Sequence, residues 1–153
     1  MNGWLIYLMV LGIITLLAVP LKFWPKLWVA GVASTLCILL VDGTLESLRA
    51  FQFTHSGLRI GGLPIPYWIS YFFGGIVYAY YRPTGKGLQA LYVLGFSIVL
   101  WILECIMILL GLFKHVHWTL LHSILIDIFG FLYMLCLYEW LGIAQKATLN
   151  PST

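Results

Sequence analysis

Five long apolar runs constrain this chain more than any other feature. Each is close to the roughly 20 residues that an α-helix needs to cross the ~30 Å hydrocarbon core of a membrane. Because 62% of the residues are apolar and only 8% are charged, too few polar side chains remain to cover a soluble globule. The predicted membrane helices are Gly3 to Leu21, Leu27 to Arg49, Pro64 to Tyr81, Leu88 to Phe113 and Trp118 to Leu141.

These runs predict an all-α polytopic membrane protein, a bundle of five transmembrane helices. Residues 1–142 would form a single transmembrane domain and residues 143–153 a short polar C-terminal tail. The basic residues stand singly beside the runs, which argues against nucleic-acid binding. By the positive-inside rule the side richer in Lys and Arg is cytoplasmic, which puts the N-terminus outside and the C-terminus inside. The inner residues would be Lys22, Lys26, Arg82, Lys86 and Lys146, and the outer ones Arg49, Arg59 and Lys114.

Ionisable residues interrupt the apolar runs. Asp42, Glu46 and Arg49 stand at i, i+4 and i+7, on one face of a helix, and Arg49 is the expected ion-pair partner of Glu46. Glu104 and Asp127 have no cation close in sequence. In the predicted topology these residues lie within roughly 15 Å of the outer surface. Because charged groups in hydrocarbon are costly and commonly functional, we expect one polar cavity in the outer leaflet.

The candidate site residues fall into two groups. Glu104 and Asp127 are the catalytic candidates, since general acid catalysis needs two acids with pKa values pushed apart. The ligand-binding candidates are Asp42, Glu46, Arg49, His55, Arg59 and His122. The loop at 51–63 is either an interfacial connector or a lid over the cavity. The histidines lack the spacing of a zinc motif, so no metal and no cofactor are predicted.

A faint internal repeat runs through the chain. The spacing of Asp42, Phe51 and His55 recurs in Glu104, Phe113 and His117. The same offset of 62 residues places the first apolar run on the third and the second on the fourth. We therefore predict a parallel pseudo-repeat, an arrangement that commonly places a binding site between its halves.

Two segments resemble known families. Asp42, Phe51-Gln52-Phe53, Gly57 to Ile65 and the aromatic helix Tyr67 to Tyr81 resemble the helical repeat of the membrane lycopene cyclases of the heterodimeric and fungal type. That family carries two glutamates, thought to do the acid chemistry, where this chain has Pro66 and Tyr67. The second half is similar to a family of small, uncharacterised membrane proteins of spore-forming Gram-positive bacteria. This resemblance implies a bacterial cytoplasmic membrane, and it depends on Glu104, Gly111-Leu112-Phe113, Trp118, Ser123 and Asp127.

Three functions fit these observations. The first is a multi-pass cell-membrane protein whose outer-leaflet pocket binds a lipid, another amphiphile or a partner helix. The second is an enzyme that uses general-acid chemistry on an isoprenoid or other lipid. The third is a transport or channel subunit with the intramembrane acids as a relay, which ranks last because the inner half is almost wholly apolar. The expected partners are membrane lipids, a hydrophobic or isoprenoid ligand, and a second copy or another membrane protein.

Overall fold

The structure, a computed structural model, describes residues 3–54 and 57–143. It is 75% helical, and its five α-helices lie where the five apolar runs predict them. They are α1 (Gly3–Ala18), α2 (Trp24–Ser47), α3 (Ile65–Tyr80), α4 (Lys86–Leu109) and α5 (Leu120–Trp140), with a single 3₁₀ turn (Leu21–Phe23) leading into α2. His55, Lys146 and all but Ile143 of the predicted tail lie outside the described residues.

Within the described residues, three helices are long and apolar enough to cross a membrane. They are α2 together with its 3₁₀ turn, α4 and α5. Large apolar side chains on the helices face outward, among them Leu40, Leu109 and Phe129. Exposed apolar surface of this extent marks a protein that meets another apolar phase, which is consistent with a membrane protein.

Three helices end in the same way. The residue after the cap is left-handed, with φ of 58° at Arg49, 68° at Gly111 and 62° at Gly142. At each end the next residue donates its N–H to a carbonyl five residues earlier, as in Ala50 to Leu45, which is the Schellman motif. Because this motif reverses the chain, α2 and α4 end before Arg49 and Phe113, the predicted ends.

Four short strands depart from the all-α prediction. Strand β1 (Phe51–Phe53) pairs antiparallel with β4 (Phe113–His115), and β2 (Arg59–Ile60) pairs with β3 (Leu63–Pro64). We call the β1–β4 pair the ribbon and its end of the bundle the sheet end. Gly61 and Gly62 both have positive φ in the two-residue turn of the β2–β3 hairpin, as a type I′ turn requires. The prediction that the fourth helix extends to Phe113 is wrong, since Phe113 belongs to the ribbon.

The internal repeat is confirmed at the level of secondary structure. Adding 62 to the bounds of α1, α2 and β1 gives the bounds of α3, α4 and β4. The ribbon shares this symmetry, because its central pair joins the equivalent residues Gln52 and Lys114. The ribbon is therefore locally two-fold symmetric, and α5 follows the second repeat as an additional helix.

The bundle has an apolar core at each end. Helix α3 packs against α1 and α2, while α5 packs mainly against α4 and less closely against α2. The core at the sheet end contains Trp4, Tyr7, Phe51, Phe53, Leu63 and Phe113. The opposite core includes Leu27, Ile76, Tyr78 and Tyr138. Asp42, Glu104 and Asp127 meet in the space between α2, α4 and α5, beneath the ribbon.

Candidate functional site

A cavity of about 80 Å³ lies beneath the ribbon. Its polar lining comes from α2, α3, α4 and α5: Asp42, Tyr67, Tyr71, Glu104, Ser123 and Asp127. Aromatic side chains line it as well: Trp4, Tyr7, Phe51, Phe113 and Trp118. We call it the acid cavity. Since a water needs roughly 10–15 Å³ of such volume, the cavity holds a few waters or one small polar group.

The acid cavity lies between the two repeats. Asp42 and Glu104 are equivalent under the 62-residue offset. Three further equivalent pairs line the cavity: Ile38 with Leu100, Leu45 with Met107, and Phe51 with Phe113. The fold thus brings two equivalent acids, one from each repeat, to the same cavity. Asp127, on a helix that is not part of the repeat, lines the cavity as well.

Asp42 is the most buried of the three acids, with 9% of its surface exposed. The hydroxyl of Tyr67, in the first turn of α3, donates to Asp42 Oδ2 at 2.6 Å. Tyr67 Oη also lies 3.0 Å from Tyr71 Oη. A buried carboxylate needs such a donor, because an unsatisfied polar group costs about 1–3 kcal/mol and a charged one more.

Glu104 has two partners on its Oε1 atom. Ser123 Oγ, in the first turn of α5, donates at 2.7 Å, and His115 Nε2 of the ribbon lies at 2.6 Å. Trp118 Nε1 donates in turn to Ser123 Oγ at 2.9 Å. The carboxylate lies between the serine and the histidine, so His115 is not placed to take a proton from Ser123 as in a catalytic triad.

Asp127 differs from the other two acids. It lines the acid cavity from α5 and is only partly exposed. No residue of the described chain hydrogen-bonds to its carboxylate, whereas most buried polar groups in proteins have a partner. Asp127 is therefore the one of the three acids whose carboxylate receives no hydrogen bond from the described residues, so both of its oxygens can accept one from a ligand.

The other predicted binding residues lie outside the acid cavity. Glu46 pairs with Arg59, Oε1 to Nη1, at 3.9 Å, and not with Arg49 as expected. Arg49 is exposed beyond the end of α2, where the left-handed turn takes it off the helical face. His122 is exposed, with Nδ1 2.7 Å from Thr119 Oγ1 at the start of α5. His55 lies outside the described residues.

The β2–β3 hairpin does not cover the acid cavity. Arg59 Nη2 donates to the carbonyl of Phe53 at 2.7 Å, and the turn rests on Glu46, so closely that a Cβ at Gly62 would meet its carboxylate. The hairpin part of the predicted loop, residues 57–63, thus fits the connector, whereas Phe51 at the start of the loop lines the cavity as part of the ribbon. The ribbon, which the sequence did not predict, lines the cavity in its place.

The predicted site residues did not include four polar residues that the structure places at or beside the acids: Tyr67, Tyr71, His115 and Ser123. Two of them carry a recognisable signal, since Tyr67 and Ser123 occupy the first turn of the helix that follows each acid-bearing helix. His115 carries none, because only the pairing of two distant strands brings it to Glu104.

A second buried polar cluster lies in the opposite half of the bundle. Ser34 Oγ and Tyr138 Oη are 2.7 Å apart, and Tyr138 donates to the carbonyl of Ala30 at 3.1 Å. Tyr78 donates to the carbonyl of Phe131 at 3.1 Å. This half is thus less apolar than predicted, but its hydroxyls bind each other and the backbone, so the cluster connects helices and does not favour the relay hypothesis.

No group of three His, Cys, Asp or Glu side chains able to hold a metal ion occurs within residues 3–54 and 57–143. No model of a known protein family, no curated protein and no solved structure matches this chain. Membership of the lycopene cyclase family or of the spore-former family stays a prediction.

Proposed function

We propose that this chain is a five-span membrane protein whose acid cavity binds the polar end of a lipid or other amphiphile. The observation that carries the proposal is the convergence of Asp42, Glu104 and Asp127, from three different helices, on one small cavity. An acid in a membrane costs about 2.5–3.5 kcal/mol at the helix centre by insertion scales. A polar ligand or trapped water would offset that cost. Apolar residues at the same three positions would avoid the cost altogether.

Five spans follow if α1 and α3 cross the membrane with the longer helices. Each has 16 residues and extends about 24 Å. Helix α1 reaches from the sheet end, where Trp4 Nε1 donates to the carbonyl of Thr54, to the opposite end, where Tyr81 donates to the carbonyl of Ala18. We place the sheet end outside and the protein in the cytoplasmic membrane of a bacterium, by the basic-residue count and the family resemblance.

Thiol labelling tests this topology. With the native cysteines changed to serine, a membrane-impermeant maleimide added to intact cells should label a cysteine at exposed Gln52 or Lys114 and spare one at Lys86. Permeabilised cells provide the control for all three positions. The reverse pattern would invert the orientation, and labelling of Gln52 and Lys86 from the same side would contradict the span count.

Native mass spectrometry with lipid identification tests the binding function. We expect gently extracted wild-type protein to retain a defined amphiphile. Asp127→Asn and Glu104→Gln should each weaken its retention by about tenfold or more, because each variant loses a charged hydrogen bond to the ligand. Glu139→Gln is the matched control, because Glu139 is an exposed acid at the end of α5 far from the acid cavity. Its Oε1 accepts a hydrogen bond from Gln89 of α4. Wild-type protein that carries only bulk phospholipid, unaffected by either change, would reject the proposal.

General-acid catalysis on the bound lipid is the second candidate. It is favoured by the different surroundings of two carboxylates in one cavity, since Glu104 has two partners and Asp127 has none among the described residues. Such a difference separates the roles of paired acids. If the protein is an enzyme, Glu104→Gln should keep shape and binding while conversion of the identified lipid stops; equal loss of binding and conversion would favour the binder.

A further inference from the structure

The bundle has an apolar groove on its outer face, close to the acid cavity. Helices α2 and α5 pack less closely than their neighbours do, and a groove of about 540 Å³ lies between them. Its lining is apolar apart from one cysteine and one tyrosine: Ala33, Leu36, Cys37, Leu40, Val41, Ile126, Phe129, Gly130, Tyr133 and Leu137. Leu40 and Phe129 are 71% and 68% exposed, so the groove opens outward between the helices.

The groove adjoins the acid cavity through a small inner chamber. Cys37, Val41, Ile126 and Gly130 line both the groove and this chamber of about 80 Å³. Asp42 and Asp127 line both the chamber and the acid cavity. The groove, the chamber and the acid cavity thus lie side by side, and we call this series of spaces the path. Asp127, the acid whose carboxylate has no partner among the described residues, lines its inner part.

The dimensions of the path suit one hydrocarbon chain. The groove residues span Ala33 to Val41 on α2 and Ile126 to Leu137 on α5, which at 1.5 Å per residue is a length of about 12–17 Å along the helices. Gly130 keeps the wall open, since a Cβ added there would have no neighbour within 4 Å. The groove thus has the length of one hydrocarbon chain and borders the chamber that Asp127 lines.

The carboxylates that line the acid cavity favour one class of lipid head group. Three carboxylates line the acid cavity, and no Lys or Arg of the described chain lines it, the chamber or the groove. A phosphate or carboxylate head would meet like charges, whereas a cationic head would gain a charged hydrogen bond with Asp127. The cavity holds only a small group, which fits a primary ammonium better than a large zwitterionic head.

We propose that the ligand is a single-chain amphiphile with an ammonium head, which enters from the bilayer between α2 and α5 and places its nitrogen at Asp127. This inference rests on the proposed binding function and adds the ligand class and its route. The chain would lie along the groove past Gly130, and the head would occupy the acid cavity beneath the ribbon.

Photo-crosslinking of the full-length protein in lipid nanodiscs tests this inference. The probes are hexadecylamine, hexadecanol and hexadecanoic acid, each with a diazirine at mid-chain, and peptide mapping reads the labelled residues. We expect the amine to label the groove segments of α2 and α5, the alcohol to label them about tenfold less, and the acid least. Asp127→Asn should abolish the preference for the amine over the alcohol.

Gly130→Trp should fill the groove and reduce labelling of α2 and α5 by about tenfold or more. The matched control is Gly95→Trp on α4, because Gly95 is exposed and also has open space around its Cβ position; it should leave labelling unchanged. Thermal unfolding confirms that both variants fold. Equal labelling by the acid probe overturns the head-group assignment, and groove labelling that survives Gly130→Trp overturns the route.

The two proposals fail in distinguishable ways. If native mass spectrometry finds a bound amphiphile that depends on Glu104 and Asp127 while Gly130→Trp has no effect, the binding function stands and the lateral route is wrong. If no amphiphile is retained and no probe labels the groove, both are wrong.

Discussion

The two repeats carry the same backbone and use it differently around their acids. In the first half, Asp42 receives one side-chain hydrogen bond, from Tyr67. In the second half, the equivalent Glu104 accepts a hydrogen bond from the Ser123 hydroxyl and contacts His115. The scaffold therefore fixes where a carboxylate lies, and the helix that follows each half supplies the donors that fix its environment.

The halves also differ in how closely the next helix approaches. A Cβ at Gly31 would lie 2.8 Å from the carbonyl oxygen of Phe72, and one at Gly75 would lie 2.8 Å from that of Ala30. The residue equivalent to Gly31 in the second half is Val93. Glycine allows α3 to lie directly against α2, whereas α5 packs less closely against α4, and least closely against α2, where the groove lies.

The largest expected effect comes from replacing Gly31 of the first half by valine, the residue at the equivalent position in the second half. Gly31→Val should destabilise the protein by about 3 kcal/mol, the upper part of the usual range for overpacking, because the obstructing atoms include backbone. Thermal unfolding in detergent, followed by tryptophan fluorescence, measures it. Gly95→Val, at an open position, should change little, and an unaltered unfolding temperature for Gly31→Val would disprove the close approach.

A smaller effect should separate the two acids. Tyr67→Phe removes the only side-chain donor that the described residues offer Asp42, and should cost about 2 kcal/mol. Ser123→Ala leaves Glu104 with His115 and should cost about 1 kcal/mol. The same unfolding assay compares them, and a larger loss for Ser123→Ala would reverse our assignment of which acid depends more on a single donor.

The smallest effect concerns the helix ends. Arg49→Gly places glycine where the equivalent residue is Gly111, and should stabilise the protein by up to about 1 kcal/mol, because an L side chain is strained at φ of 58°. Gly111→Ala should have the opposite sign. A clear loss of stability in Arg49→Gly would show that the guanidinium makes an important contact, as the predicted pairing with Glu46 required.

Much of the fold could be predicted because it depends on local pattern. The five helices follow from apolar runs, and the repeat follows from the spacing of Asp42 and Glu104. The ribbon could not be predicted, since three residues at 51–53 pair with three at 113–115, and nothing local distinguishes them from a helix end or a loop. Arg59, and not Arg49, is the partner of Glu46 for a similar reason, because the contact depends on how the hairpin packs against α2.

The sequence by itself determined that this chain forms apolar helices, that its halves are related, and that Asp42, Glu104 and Asp127 need partners. Those conclusions depend on residue type and spacing, which act within one helix. The sequence also predicted that these acids share one polar cavity, but only the tertiary structure decided that Glu46 lies outside it, which donors reach the acids, and that a groove lies beside it between α2 and α5. Such features depend on how closely helices far apart in sequence approach, and packing of the whole bundle sets those distances.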